Sequence, residues 1–93
     1  MAKVENLTNS NGRKVENQFV IFTPEATFFQ SYNSIIVKTT FEDGKRKIYL
    51  DKNKWDYSKT TSKYRNQFLG KTTKEIENAI KNGEIELIDL NRD

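Results

Sequence analysis

Eight side chains, Lys38, Lys47, Tyr49, Lys54, Tyr57, Lys59, Lys63 and Arg65, alternate cations with phenol rings along one short stretch of the chain. Ammonium and guanidinium groups pair with phosphate or carboxylate, and a tyrosine ring offers a flat face for a base or a guanidinium. Such a set is binding chemistry, suited to nucleic acid or to the acidic groove of a protein that handles it. Around these residues, positions 43–74 carry ten Lys or Arg against three Asp, together with Trp55, Tyr64 and Phe68. Positions 1–42 are balanced at four against four, and 75–93 carry six acids against two bases, so the formal net charge of +3 conceals a basic middle and an acidic tail. Glu84, Glu86 and Asp89 in that tail can fold back and neutralise part of the basic field.

Catalytic chemistry is poorly provided for. The chain has no His and no Cys, which removes the usual general base near neutral pH and the thiolate nucleophile. Asp43, Asp51 and Asp56 supply carboxylate oxygens, but their spacing matches no ion-binding loop and Asp43 is needed for a turn. A tyrosine nucleophile among Tyr49, Tyr57 and Tyr64, backed by Arg65, would lack a base to complete it. A non-enzymatic protein with no metal and no cofactor is therefore expected. The bland reading of the basic segment is that Trp55, Tyr64 and Phe68 form a satellite core under a loop while the lysines and Arg65 are solvated one by one. That reading is preferred for Trp55 and Phe68, and Tyr49 is the better contact residue.

Ninety-three residues make one small domain with a modest core. Hydrophobic residues are 34% of the chain and mean hydropathy is −0.85, but eleven aromatics and several β-branched runs keep it out of the disordered class. Without Cys, a reducing compartment is the simplest home. No apolar run has the length of a signal peptide or a membrane span, so a cytoplasmic protein is expected and the sequon Asn6-Leu7-Thr8 has no role. Residues 1–14 read as a flexible lead-in, and 15–93 as the folded domain.

The elements that must position the cations follow from local pattern. Asn17 to Phe22 and Thr27 to Tyr32 read as strands around a turn at Pro24. Ser34 to Phe41 and Arg46 to Asp51 flank Asp43-Gly44, a type I′ hairpin signal that sets Glu42 opposite Lys45 and Lys38 opposite Tyr49. Ile35, Val37, Thr39, Phe41, Ile48 and Leu50 then share a core face, with Arg46 at its margin. Ile36, Lys38, Thr40, Lys47 and Tyr49 share the other, where Tyr49 is bracketed by Lys38 and Lys47. Lys52 to Leu69 fits neither period and reads as an ordered loop holding one helical turn. Thr72 and Glu75 form a capping box for a helix from Thr73 to Asn82 that Gly83 stops, and Glu84 to Leu90 closes as a strand. The fold class expected is α+β, a small antiparallel sheet of about five strands with one helix near the C-terminus.

The runs Phe29-Gln30-Ser31-Tyr32-Asn33-Ser34-Ile35-Ile36, Ile48-Tyr49-Leu50-Asp51, Trp55-Asp56-Tyr57-Ser58-Lys59-Thr60-Thr61 and Lys63-Tyr64-Arg65-Asn66-Gln67-Phe68-Leu69-Gly70 resemble a family of uncharacterised small proteins of bacterial phages and mobile elements. The likeness spans roughly residues 17–90, with Trp55 to Gly70 its most specific part. The family has no established activity, so no site residue comes from it. The resemblance implies a setting, an early-type phage product inside a bacterial host cell, where small non-enzymatic proteins bind and block restriction or CRISPR machinery. The partner expected is a host protein or nucleoprotein complex, with single-stranded DNA or RNA as the alternative. No membrane is involved, and a monomer or weak homodimer is expected.

Overall fold

Asp43 and Gly44 both adopt positive φ, 55° and 77°, the pair of angles a two-residue type I′ turn demands. The turn sets the register of the flanking strands, β4 (Ser34–Glu42) and β5 (Lys45–Asp51), with Glu42 opposite Lys45 and Lys38 opposite Tyr49. In this computed structural model, which describes residues 2–91, the hairpin belongs to a six-stranded sheet. The other strands are β1 (Lys3–Thr8), β2 (Lys14–Phe22), β3 (Thr27–Ser31) and β6 (Ile85–Ile88). They lie in the order of the chain. Strands β1 to β5 form an antiparallel meander, and β6 pairs with β5 in parallel, Ile48 opposite Ile85 and Leu50 opposite Leu87.

A parallel neighbour cannot be reached by a tight turn, because the chain must travel back along the strand before it re-enters the sheet. Two helices make that return, α1 (Lys59–Leu69) and α2 (Thr73–Lys81). The fold is thus α+β as expected, but the sheet is mixed and has six strands rather than about five, and there are two helices rather than one. Helix α1 escapes a search for apolar periodicity because its buried face is built from Thr61, Tyr64, Arg65 and Leu69, two of them polar. Its start is nonetheless capped: the Ser58 hydroxyl accepts from the Thr61 N–H at 3.1 Å. For α2 the capping box forms as read, Thr72 Oγ1 accepting from the Glu75 N–H and Glu75 Oε1 accepting from the Thr72 N–H.

The boundary expected at residue 15 is corrected by β1, which pairs with β2 from Lys3–Phe22 to Thr8–Lys14 and places Leu7 and Val15 against the core. As an edge strand with a register shift between Asn6 and Thr8, it shows no clean alternation, and Val4 is exposed. Met1, Arg92 and Asp93, at the ends of the expected lead-in and domain, lie outside the described residues.

Both helices pack on one face of the sheet. The register aligns Phe29, Val37 and Leu50 across β3, β4 and β5, and Tyr64, Leu69, Ile76 and Ala79 of the helices join them in one buried cluster. Phe68 of α1 stacks on Phe29 with ring centroids 5.8 Å apart, and the Ser31 and Thr61 hydroxyls share a buried hydrogen bond of 2.8 Å. Three residues depart from the places expected for β4, among them Ile35, which is half-buried opposite Gln30 and outside the core cluster. A bulge sets Ile35 and Ile36 against Gln30 alone, which turns Ile36 into the core beside Val37. Phe41, expected inside, is 79% exposed, because the β3 ladder stops at Thr27–Thr39 and leaves it with Arg46 of β5 on one side and no strand on the other.

Ile36→Ala should therefore destabilise the protein by about 2–5 kcal/mol, whereas Phe41→Ala stays within about 0.5 kcal/mol of the parent. Urea unfolding of the two variants checks the pair. Equal losses would mean that the bulge does not turn Ile36 inward.

Candidate functional site

With both helices on one face, the other face of the sheet is left uncovered. Consecutive ladder pairs draw a row straight across it: Val4, Ile21, Phe28, Lys38, Tyr49 and Glu86, one residue from each strand. The row runs from apolar on β1–β3, through a cation and a phenol on β4 and β5, to a carboxylate on β6. Lys38 Nζ stands 5.8 Å from the Tyr49 ring centroid, which confirms the expected adjacency. Lys47 lies on the same face two residues before Tyr49, opposite Thr40.

Glu42 completes this cluster. Its Oε2 accepts from Thr40 Oγ1 at 2.7 Å and from the Tyr49 hydroxyl at 2.9 Å. The Thr40 hydrogen bond first, and the Tyr49 one after it, hold the Glu42 carboxyl below the ordinary carboxylate range, and the same bond pushes the Tyr49 phenol up. Glu42 escaped the sequence reading because only its place in the turn was considered. Its position on the face of Thr40 and Tyr49 was legible from the register.

The remaining candidates lie on the helix side. Lys54 Nζ stands 5.3 Å from the Tyr57 ring centroid, and Lys63 Nζ the same distance from that of Tyr64. Tyr57 is 47% exposed and shares a shallow groove along α1 with Lys59 and Lys63. Tyr64 faces the core, as do the half-buried Trp55 and Phe68 that the satellite-core reading placed there. The basic aromatic set thus divides between opposite sides of the sheet.

Arg65 joins neither group. Expected in solvent, it is fully buried. Its guanidinium donates to the Trp55 carbonyl, to Asn66 Oδ1 at 2.9 Å, to Ser62 Oγ at 3.4 Å and to Thr73 Oγ1 at 3.3 Å, and it lies 5.3 Å from the Trp55 ring centroid. These acceptors are neutral, and burial draws the guanidinium pKa down, opposed by the more distant charges of Asp56 and Glu77. Asp51 is likewise structural: buried, it accepts from the Leu90 N–H at 2.9 Å and the Asn53 N–H at 3.1 Å.

A third basic feature went unread in the sequence. Lys45, Arg46, Lys47 and Lys71 line a cleft of about 380 Å³ between the hairpin and the end of α2, with Glu84 as its acid. Lys71 comes from the α1–α2 link, distant in sequence from the other three, so only the fold brings them together. The acidic tail does return to the basic middle, Glu84 in this cleft and Glu86 opposite Tyr49.

A protein-family model described as a family of unknown function, DUF8033, matches residues 2–86. The chain belongs to DUF8033. The match runs from β1 to the start of β6, so the uncovered face, the α1 groove and the cleft all fall within it. No curated protein and no solved structure matches. The DUF8033 assignment agrees with the resemblance to an uncharacterised family, and the geometry has to carry the functional reading.

Two outcomes follow. Arg65→Met leaves the Trp55 carbonyl without its donor and should cost about 1–3 kcal/mol, with the emission of Trp55 changed, as read by urea unfolding followed through tryptophan fluorescence. In carbon-detected NMR titrations, Thr40→Val and Tyr49→Phe should each raise the Glu42 pKa toward its ordinary value, Thr40→Val by the larger amount. An unchanged Glu42 titration in both variants would contradict the cluster.

Proposed function

We propose that this protein acts by binding rather than catalysis, as a small phage-type accessory protein that docks on a host nucleic-acid-handling defence complex of the restriction or CRISPR kind and blocks it. The observation that supports the reading is the uncovered sheet face, where a row crosses all six strands from Val4 to Glu86. Apolar and aromatic area beside a cation–phenol pair is the composition of a surface that desolvates against another protein. Lys38, Lys47 and Tyr49 are its polar anchors, rigid because they stand on a ladder fixed by the Asp43-Gly44 turn.

A chain with a formal charge of +3 does not imitate the phosphate backbone, so the block differs in kind from that of an acidic DNA mimic. The partner surface it suits is acidic, or is already engaged with nucleic acid. The action belongs to the cytoplasm of the bacterial host, and no helix among the described residues is long and apolar enough to cross a membrane.

A second reading, direct binding of single-stranded DNA or RNA in phage replication or regulation, is favoured by Tyr57. Its ring is exposed, carries Lys54 at 5.3 Å and adjoins Lys59 and Lys63, as a base-stacking platform with phosphate partners would be.

Expression in hosts that carry a restriction or CRISPR system should raise phage plaquing there and leave it unchanged in isogenic hosts without that system. Lys38→Glu with Tyr49→Ala should abolish the gain. Titration of labelled single-stranded oligonucleotides at about 50 and 200 mM salt separates the readings, since phosphate-driven binding falls steeply over that range. No gain in plaquing, together with tight salt-sensitive oligonucleotide binding that Tyr57→Ala weakens, would replace the first reading with the second.

A further inference from the structure

The cleft between the β4–β5 hairpin and the end of α2 brings four cations, Lys45, Arg46, Lys47 and Lys71, around a floor that includes Ile48 and Ile85. Three of the four lie together because β6 begins opposite Ile48, so that residues 45–47 of β5 run on past it with no strand on that side. The three line the cleft from both faces of β5, Arg46 on the helix side and Lys45 and Lys47 on the other. Lys71 enters from the short link between the helices.

None of the four cations stands within salt-bridge distance of a carboxylate among the described residues, although Glu42 lies close enough to Lys47, and Glu75 to Lys71, to feel their charges. Among the described residues the side-chain ion pair is that of Lys3 with Glu5, at 2.9 Å on the opposite edge of the sheet. Glu84 lines the cleft without approaching any of the four within salt-bridge distance, which leaves a surplus of three positive charges over the lining. Like charges gathered over a buried apolar floor repel one another more strongly than in open water, and a bound anion relieves that repulsion.

The end of α2, where an acceptor row could have repelled an anion, is closed. The Gly83 N–H donates to the Ile80 carbonyl at 3.2 Å and the Glu84 N–H to the Ala79 carbonyl at 2.9 Å. Gly83 takes the positive φ of 79° that this double closure requires. The Asn78, Ala79 and Ile80 carbonyls are therefore occupied within the helix end. The walls are fixed by the turn at Asp43-Gly44 on one side and this cap on the other.

We propose that this cleft is a phosphate-binding site that takes the phosphodiester backbone of a nucleic acid. Arg46 supplies a planar fork for two phosphate oxygens, and Lys45, Lys47 and Lys71 supply point charges around it. The proposal rests on the nucleic-acid-directed reading above and gives that reading a specific grip, on a surface distinct from the Tyr57 groove. With the four cations directed at phosphate, binding is dominated by counterion release and is independent of sequence.

The test is an amide-resolved NMR titration of the intact chain with a short oligothymidylate and, separately, with inorganic pyrophosphate, beside salt-dependent affinity measurements. Both probes should shift the amides of Lys47, Ile48, Gly83 and Glu84. The Arg46→Ala/Lys71→Ala double variant, its fold verified by an otherwise unchanged spectrum, should lose about 1.4 from the log–log salt slope, at about 0.7 for each single-strand phosphate contact removed. Oligonucleotide binding that shifts Tyr57 and Lys63 instead, with the slope of the double variant unchanged, overturns the cleft and leaves direct nucleic-acid binding standing. Absence of oligonucleotide binding at about 50 mM salt overturns both, and leaves the protein-directed reading alone.

Discussion

The parallel pairing of β6 with β5 determines what the rest of the molecule can be. Five strands joined by short turns would form a meander with two equivalent faces. The sixth strand, set parallel to the fifth, obliges the chain to cross back along the sheet, and the residues that make the crossing fold as α1 and α2 on one side. That side becomes the core. The other face, from Val4 to Glu86, stays open, and the cleft exists because β6 starts late against β5. Lys52 and Ile88 close the pairing, the Lys52 N–H donating to the Ile88 carbonyl at 2.8 Å, while Asn91 binds both the N–H and the carbonyl of Ile35.

Arg65 holds the crossing in place. Its guanidinium reaches the loop after β5 at Trp55, its own helix at Ser62 and Asn66, and the start of α2 at Thr73. A buried cation satisfied by neutral acceptors and an aromatic face is costly to desolvate. It is geometrically demanding as well, since a planar fork fits one arrangement of these segments and a lysine would reach fewer of them. Arg65, one of the eight candidate contacts of the sequence, thus positions the surfaces on which the other cations stand.

What could be read from the sequence was whatever local chemistry fixes. Asp43-Gly44 carried the hairpin, its register and the Lys38–Tyr49 pair, and Thr72 with Glu75 carried the start of α2. Helix α1 was hidden because Thr61 and Arg65 occupy positions where a pattern search wants apolar residues. Edge strand β1 was hidden because one of its neighbours is solvent, and the bulge at Ile35-Ile36 because it depends on β3 rather than on β4. The division of the cations between two faces, and the meeting of Lys71 with the hairpin, are products of the crossing and have no local signature.

The measurement that bears most directly on this account is a nuclear Overhauser map of the β5–β6 ladder, because the open face and the cleft both follow from it. Contacts of Ile48 with Ile85 and of Leu50 with Leu87, advancing in the same direction along both strands, are the predicted result. Contacts that advance in opposite directions, or a β6 without contact to β5, would remove the need for the crossing and contradict the arrangement from which both binding surfaces are derived.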